Sequence, residues 1–247
     1  GNTVGPIEAL RLVPPEILRF LVANSKPSKA IEFDTGMGLV NLADEYERLC
    51  ARDLAGEMEA ENLSRRKRVQ LEDAMVALDL SVVHEDQDSV ATSVSFRHLS
   101  LLAQVKPEDD AVWDSLRSTG SIDQPTEALK DRLIRMRSWI ASEHFPDEMR
   151  ITLLEAPSAA ALNELTVDQR KVLVALETNL RSADWTAEGI TEAFKSTATE
   201  AAVSMRDVYR ASYALFMGTE RGPRLAPILA NCDRETMVEL VRRSQVV

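Results

Sequence analysis

Apolar residues along this chain recur at intervals of three and four almost throughout, the spacing that gathers them on one face of a helix. Leu39, Leu42, Ala43, Tyr46, Leu49 and Cys50 predict a helix from 39 to about 55, and Leu129, Leu133, Met136 and Ile140 define the core side of another over 125–143. Proline marks several starts, because its fixed φ and missing N–H suit a first turn. Helices are thus predicted over 6–13 and 15–24, with a bend at Val13-Pro14-Pro15 and with Ile17, Leu18, Leu21 and Val22 on one face of the second. Further helices follow over 96–105, 108–118, 158–164, 166–182, 186–198, 203–217, 223–231 and 233–243, joined by the short connections of packed helical domains. The expected fold class is all-α. Only Met149 to Leu154, framed by Pro146 and Pro157, reads as strand-like. Residues 56–68 are almost wholly polar, apolar spacing returns only to about Asp79, and 80–95 resist assignment, so 56–95 is expected to be a domain junction or an insertion.

Residues 203–232, VSMRDVYRASYALFMGTERGPRLAPILANC, are the most informative stretch. Met205, Val208, Tyr209, Leu215 and Phe216 predict a buried face. Gly218 is placed to close the helix in the left-handed conformation, and Pro223 to stand in the first turn of the next. Beside the buried face, Arg206, Arg210, Tyr213 and Met217 follow at i, i+4, i+7 and i+11, and Arg221 and Arg224 flank the corner. Arginines can pair with phosphates and a tyrosine can stack on an unpaired base. The competing reading is a solvated helix face with local ion pairs.

Composition narrows the partners. Lys and Arg number 29 against 40 Asp and Glu, a formal charge of −11, which argues against general affinity for nucleic acid and against DNA as a partner. Any RNA contact must be local. Basic residues cluster at Arg65, Arg66, Lys67 and Arg68, and again at Lys130, Arg132, Arg135 and Arg137; Lys26 and Lys29 share a turn-rich loop after the second helix. Cys50 and Cys232 stand far apart, which implies neither a disulfide framework nor a zinc site. No apolar run approaches the roughly 20 residues that span a bilayer, so no membrane association and a cytoplasmic location are expected.

Little chemistry is in view. His84, His98 and His144 have no second ligand at metal-binding spacing, so no metal site is expected. The glycine-containing run MGTERGPRL at 217–225 lacks the Lys-Ser/Thr ending of a phosphate-binding loop and no strand precedes it. Ser95 and His98 alone do not make a triad, which is defined by three-dimensional geometry. No catalytic residue is assigned. From the residues alone the chain reads as a helical binding protein, and a helical adaptor for another protein fits as well.

The first block, GNTVGPIEALRLVPPEILRFLVANSKPSKAIEFD, resembles the segment of class I lysyl-tRNA synthetases that follows their Lys-Met-Ser-Lys-Ser-type loop, with Gly1-Asn2 like that loop's tail. The late run YRASYALFMGTERGPRLAPILANCDRE is similar to the same family and to the glutamyl enzymes, and SFRHLSLLAQV at 95–105 shows a weaker likeness. The resemblance implies a stem-contact region over 1–105 and a helical anticodon-binding cage over 106–247. It implies lysine tRNA as partner, with the equivalent part of a glutamyl enzyme as the alternative. On this reading Arg206, Arg210, Tyr213, Arg221 and Arg224 serve the anticodon, and Lys26 and Lys29 touch the stem. Trp139 and Trp185 are further aromatic candidates, with core packing as the competing reading. The His-Ile-Gly-His-type motif and the signature-loop lysines are absent from the sequence. The resemblance therefore implies that ATP and magnesium are handled by a preceding catalytic domain, which would be a partner, and that this stretch alone is inactive.

Overall fold

A computed structural model describes residues 5–26, 28, 30, 31 and 33–245. Among them are fifteen α-helices and no strand. They form two compact units that part after Pro146.

The first unit holds α1 (Pro6–Leu12), α2 (Pro15–Ala23), α3 (Met37–Cys50), α4 (Leu54–Met58), α5 (Arg65–Leu80), α6 (Gln87–Ser93), α7 (Phe96–Val105), α8 (Asp109–Ser118) and α9 (Glu127–Ile140). Pro6 and Pro15 do open their helices. Apolar faces meet around an aromatic centre, where Trp139 lies 5.4 Å from Phe96 and 4.7 Å from Phe145, and Phe20 packs edge-on against Tyr46. Trp139 is wholly buried and its indole N–H donates to the Thr35 carbonyl at 2.7 Å, which makes it a core residue and removes it from the binding candidates.

Residues 56–95 are helical and lie within the first unit. They contribute α4, α5 and α6, with α5 packed on α2 and α6 on α3. Gln87 ties the segment down: its Oε1 accepts the N–H groups of Val83 and His84 at 2.6 and 2.9 Å, and its Nε2 donates to the Tyr46 hydroxyl at 2.9 Å. The boundary expected at 105/106 is also not where the compact units part. Both α8 and α9 pack on α7, so the first unit continues to Pro146.

The second unit begins with a 3-10 turn at Asp147–Met149 and continues through α10 (Ala159–Asn163), α11 (Val167–Ser182), α12 (Ala187–Glu200), α13 (Met205–Met217), α14 (Leu225–Ala230) and α15 (Arg234–Ser244). Its middle is α11, which packs against α12, α13 and α15. Leu176, Leu180, Ile190, Phe194, Val208, Leu215, Phe216, Leu229 and Val241 fill the centre with almost no exposure. Most of these helices start at a side-chain cap, and Thr166 with Gln169 forms a reciprocal capping box. The strand-like run at 149–154 forms no strand. One backbone bond, from the Leu154 N–H to the Phe216 carbonyl at 2.8 Å, fastens it beside α13.

Candidate nucleic-acid interface

The corner between α13 and α14 is built as a clamp. Gly218 ends α13 with φ 67° and ψ 22°, the left-handed conformation expected of it, and its N–H reaches the Ala214 carbonyl at 3.1 Å. The chain then turns back over the last turn of α13. The Tyr213 hydroxyl donates to the carbonyls of Gly222 and Pro223 at 3.1 and 2.7 Å, pinning the returning arm of the corner. Gly222 fits closely here, since a Cβ at this position would stand 3.3 Å from both Tyr213 Cε1 and Met217 Sδ. Burial pushes the Tyr213 hydroxyl's pKa up, which keeps it a donor.

Two sequence expectations fail at this corner. Pro223 is not in the first turn of α14; Arg224 is the cap residue and Leu225 begins the helix, because Pro223 is occupied in the turn that Tyr213 holds. Met217 belongs to the core and not to the outer stripe, since the returning 218–223 segment covers it.

The five anticodon candidates all border α13 or the corner that follows it, but they face different ways. Tyr213 and Arg224 line a groove of about 620 Å³ with Tyr209, Thr191, Glu192 and Lys195. Arg221 lines a second cleft of about 610 Å³ with Asp147, Glu148, Arg150 and Thr152. Arg210 borders a small third one of about 240 Å³ and is ion-paired with Glu220, so its charge is partly spent within the protein. Arg206 is exposed in the first turn of α13, beside Asp207, whose carboxyl is held low chiefly by the Ser204 hydroxyl and then by Gln169. Arg206, Arg221 and Arg224 make no salt bridge among the described residues.

Sequence periodicity places Tyr209 only in the buried face. Its ring is half-buried, meeting Phe194 edge-on at 5.3 Å, yet it also lines the groove next to Tyr213, 6.4 Å away and tilted by 32°. The i, i+4 spacing of Tyr209 and Tyr213 is the signal that points to a shared wall. Trp185 is half-buried against the second core, its indole N–H donates to the Cys232 carbonyl at 2.9 Å, and Arg234 lies over its ring. These partners account for it as a packing residue.

The other basic groups divide sharply. Lys130, Arg132, Arg135 and Arg137 do not form a cationic surface: each is paired with a carboxylate, and Arg132 is buried. By contrast Arg65, Arg66 and Arg68 stand exposed in the first turn of α5, with Lys67 3.6 Å from Glu57. Lys26 is exposed just after α2, whereas Lys29 lies outside the described residues. No helix among the described residues is long and apolar enough to cross a membrane, and no group of His, Cys, Asp and Glu side chains among them is arranged to hold a metal ion.

Comparison with known proteins bears on what such a corner meets. Residues 1–74 match the family described as tRNA synthetases class I (K), and residues 101–243 match the family described as anticodon binding domain. The lysine–tRNA ligase of Thermoplasma volcanium is 28% identical over 244 residues, covering 98% of this chain and 44% of the relative. That of Thermococcus kodakarensis is 28% identical over 249 residues, covering 98% and 45%, and that of Pyrococcus horikoshii 27% over 253 residues, with the same shares. The chain thus spans under half the length of these curated relatives. Their lysine names agree with the resemblance of the first block and not with the glutamyl alternative.

Proposed function

Because this chain belongs to the anticodon-binding domain family, which its residues 101–243 match, we propose that it is the tRNA-holding portion of a class I lysine–tRNA ligase. The observation that carries this reading is the α13–α14 corner. In a protein of net charge −11, three exposed arginines without salt bridges among the described residues, Arg206, Arg221 and Arg224, lie along α13 and the corner after it, and Arg224 shares a groove with the rigidly held Tyr213. Such a surface suits the unpaired bases and close phosphates of a loop better than a regular duplex, because it offers few cations beside a fixed aromatic ring.

In this reading Tyr213, Arg221 and Arg224 meet the anticodon loop, Arg206 extends the contact, and Arg210 contributes what Glu220 leaves to it. Lys26 and Lys29 touch the stem, and residues 1–105 provide the stem-contact part. Nothing in this surface performs ligation. Its contribution is to fix the tRNA so that the acceptor end is presented to the catalytic part of such an enzyme, the ordering by which binding lowers a reaction barrier. The partner is lysine tRNA and the setting is the cytoplasm.

The test is binding of the 247-residue chain to lysine tRNA across a salt series, beside the same tRNA with its anticodon replaced. The reading expects a linear fall of log affinity with log salt and weaker binding of the altered tRNA. Equal binding of both would remove the anticodon assignment.

A further inference from the structure

Between the 3-10 turn at Asp147–Met149 and α10 the chain is irregular, and it is fastened at three successive residues. The Leu153 side chain packs against the second core, the Leu154 N–H donates to the Phe216 carbonyl at 2.8 Å, and the Glu155 carbonyl accepts from Arg243 Nη1 at 3.4 Å. Phe216 lies in the last turn of α13, where carbonyls run out of partners within the helix, so the segment supplies a bond that α13 cannot make for itself.

The two leucines divide between two surfaces. Leu153 faces the core, whereas Leu154 lies on the corner: a Cβ at Gly218 would stand 3.4 Å from Leu154 Cδ1. Gly218 is the joint from which the corner departs, and a glycine turns freely unless something covers it. Leu154 covers it. The loop over 218–223 is thus held at both ends, by Leu154 at its first residue and by the Tyr213 hydroxyl at the carbonyls of Gly222 and Pro223. Arg221 stands exposed between the two anchors, and the segment that carries Leu154 also brings Arg150 and Thr152 to the cleft that Arg221 lines.

We propose that Leu154 is a positioning residue for RNA binding: without touching RNA, it holds Gly218 so that Arg221 meets a phosphate of the loop from a fixed backbone. Ordering a long side chain and the loop beneath it subtracts from the attraction gained on binding, and a backbone fixed beforehand reduces that loss. The inference rests on the corner being the RNA-binding surface, and it assigns a part in recognition to a segment outside α13 and α14.

The experiment measures binding of the 247-residue chain to lysine tRNA across a salt series, with thermal melting alongside, for the wild type, Leu154→Ala, Leu154→Met, Leu153→Ala, Arg221→Ala and the Leu154→Ala/Arg221→Ala double variant. Leu154→Ala should weaken binding about threefold to tenfold, the range in which residues that touch neither partner modulate coupling, and no more than Arg221→Ala does. Because Leu154 is only partly buried, its melting should stay close to wild type. Leu154→Met, which keeps an apolar side chain over Gly218, should restore the affinity. Leu153→Ala should do the reverse of Leu154→Ala, melting lower while binding as the wild type does below its transition. In the Arg221→Ala background, Leu154→Ala should cost less than about twofold, since its effect passes through that arginine. Penalties that multiply in the double variant, wild-type binding by Leu154→Ala, or equal losses of affinity in Leu153→Ala and Leu154→Ala each overturn the inference and leave the RNA reading standing. An Arg221→Ala variant that binds as tightly as the wild type overturns both the inference and the place of Arg221 in RNA binding.

Discussion

Arg132 on α9 donates its Nε–H to Oε1 of Glu16 on α2 at 2.7 Å, with both side chains 1% exposed and 116 positions apart in sequence. Its Nη1 lies 3.4 Å from Glu47 on α3, so one guanidinium joins three helices of the first unit. The energetics of such a group are asymmetric. Replacing the whole set by apolar residues is often neutral, whereas removing one member strands a buried charge at a cost of about 3–5 kcal/mol. Arg132→Met leaves two carboxylates without a cation and should lower stability by that amount, read as a fall in the urea midpoint. A change below about 1 kcal/mol would mean that water already reaches the site.

Glu47 makes the same site pH-dependent. Burial pushes its carboxyl from 4.5 up to about 7, outweighing the opposing pull of Arg132 and of the Phe96 N–H, which it accepts at 2.7 Å. The folded state therefore holds this proton more tightly than the unfolded chain does. The stability linked to it is fully present below 4.5 and is lost as pH rises to 7. Glu47→Gln keeps an acceptor for Phe96 and removes the titration. The stability difference between wild type and variant should swing by on the order of 1–3 kcal/mol across this window, in the direction that favours the variant at high pH. Urea midpoints at several pH values check it; a flat difference contradicts it.

The two glycines of the corner should fail in different ways. Gly218→Ala forces a side chain into the left-handed region at a cost of about 1–2 kcal/mol, visible in the melting temperature. Gly222 has no such φ, but a Cβ there presses on Tyr213 Cε1 and Met217 Sδ. Gly222→Ala should therefore leave overall stability closer to wild type and weaken RNA binding, because Tyr213 loses its place under the corner. Equal RNA binding by wild type and Gly222→Ala would detach Tyr213 from recognition.

Charge at the corner gives an opposite pair of outcomes. Glu220 is ion-paired with Arg210 on an exposed surface, where such a pair contributes less than about 1 kcal/mol to stability. Glu220→Gln should release Arg210, tighten RNA binding and steepen the salt dependence. Arg221→Ala and Arg224→Ala should each weaken binding and reduce the salt slope by about one, with unchanged melting. Unaltered slopes for both would move the phosphate contact elsewhere on the chain, with the exposed Arg65, Arg66 and Arg68 as the next surface to examine.

How much of the molecule is readable from its sequence depends on how local each feature is. The helix at Phe96–Val105 is legible to the residue because Ser95 caps it and its apolar face is continuous. The α5–α6 segment is not, since only Leu71 and Ala77 of α5 are buried and its first turn is basic, which blurs the periodicity. Its anchor, Gln87, depends on Tyr46, 41 residues earlier, and no local pattern encodes that bond. Met149 to Leu154 has strand-like composition but meets no partner strand among the described residues, and its Leu154 N–H is bonded to the Phe216 carbonyl near the end of α13. At the candidate site the arginines and Tyr213 are legible as a helix stripe. Their distribution among separate clefts is not, because it is decided by where the 218–224 loop returns. Tyr209 is hidden for the opposite reason: a residue that both packs and lines a groove reads simply as core.

In the proposed function, RNA meets the second unit at the α13–α14 corner through its anticodon loop. Nucleotide-resolution chemical protection of lysine tRNA by the 247-residue chain, repeated with the Arg221→Ala and Arg224→Ala double variant, tests it most directly. Protection of the anticodon loop by the wild type and its loss in the double variant are expected, with any protection along the stem retained. Protection confined to the stem and unchanged by the double variant would contradict it.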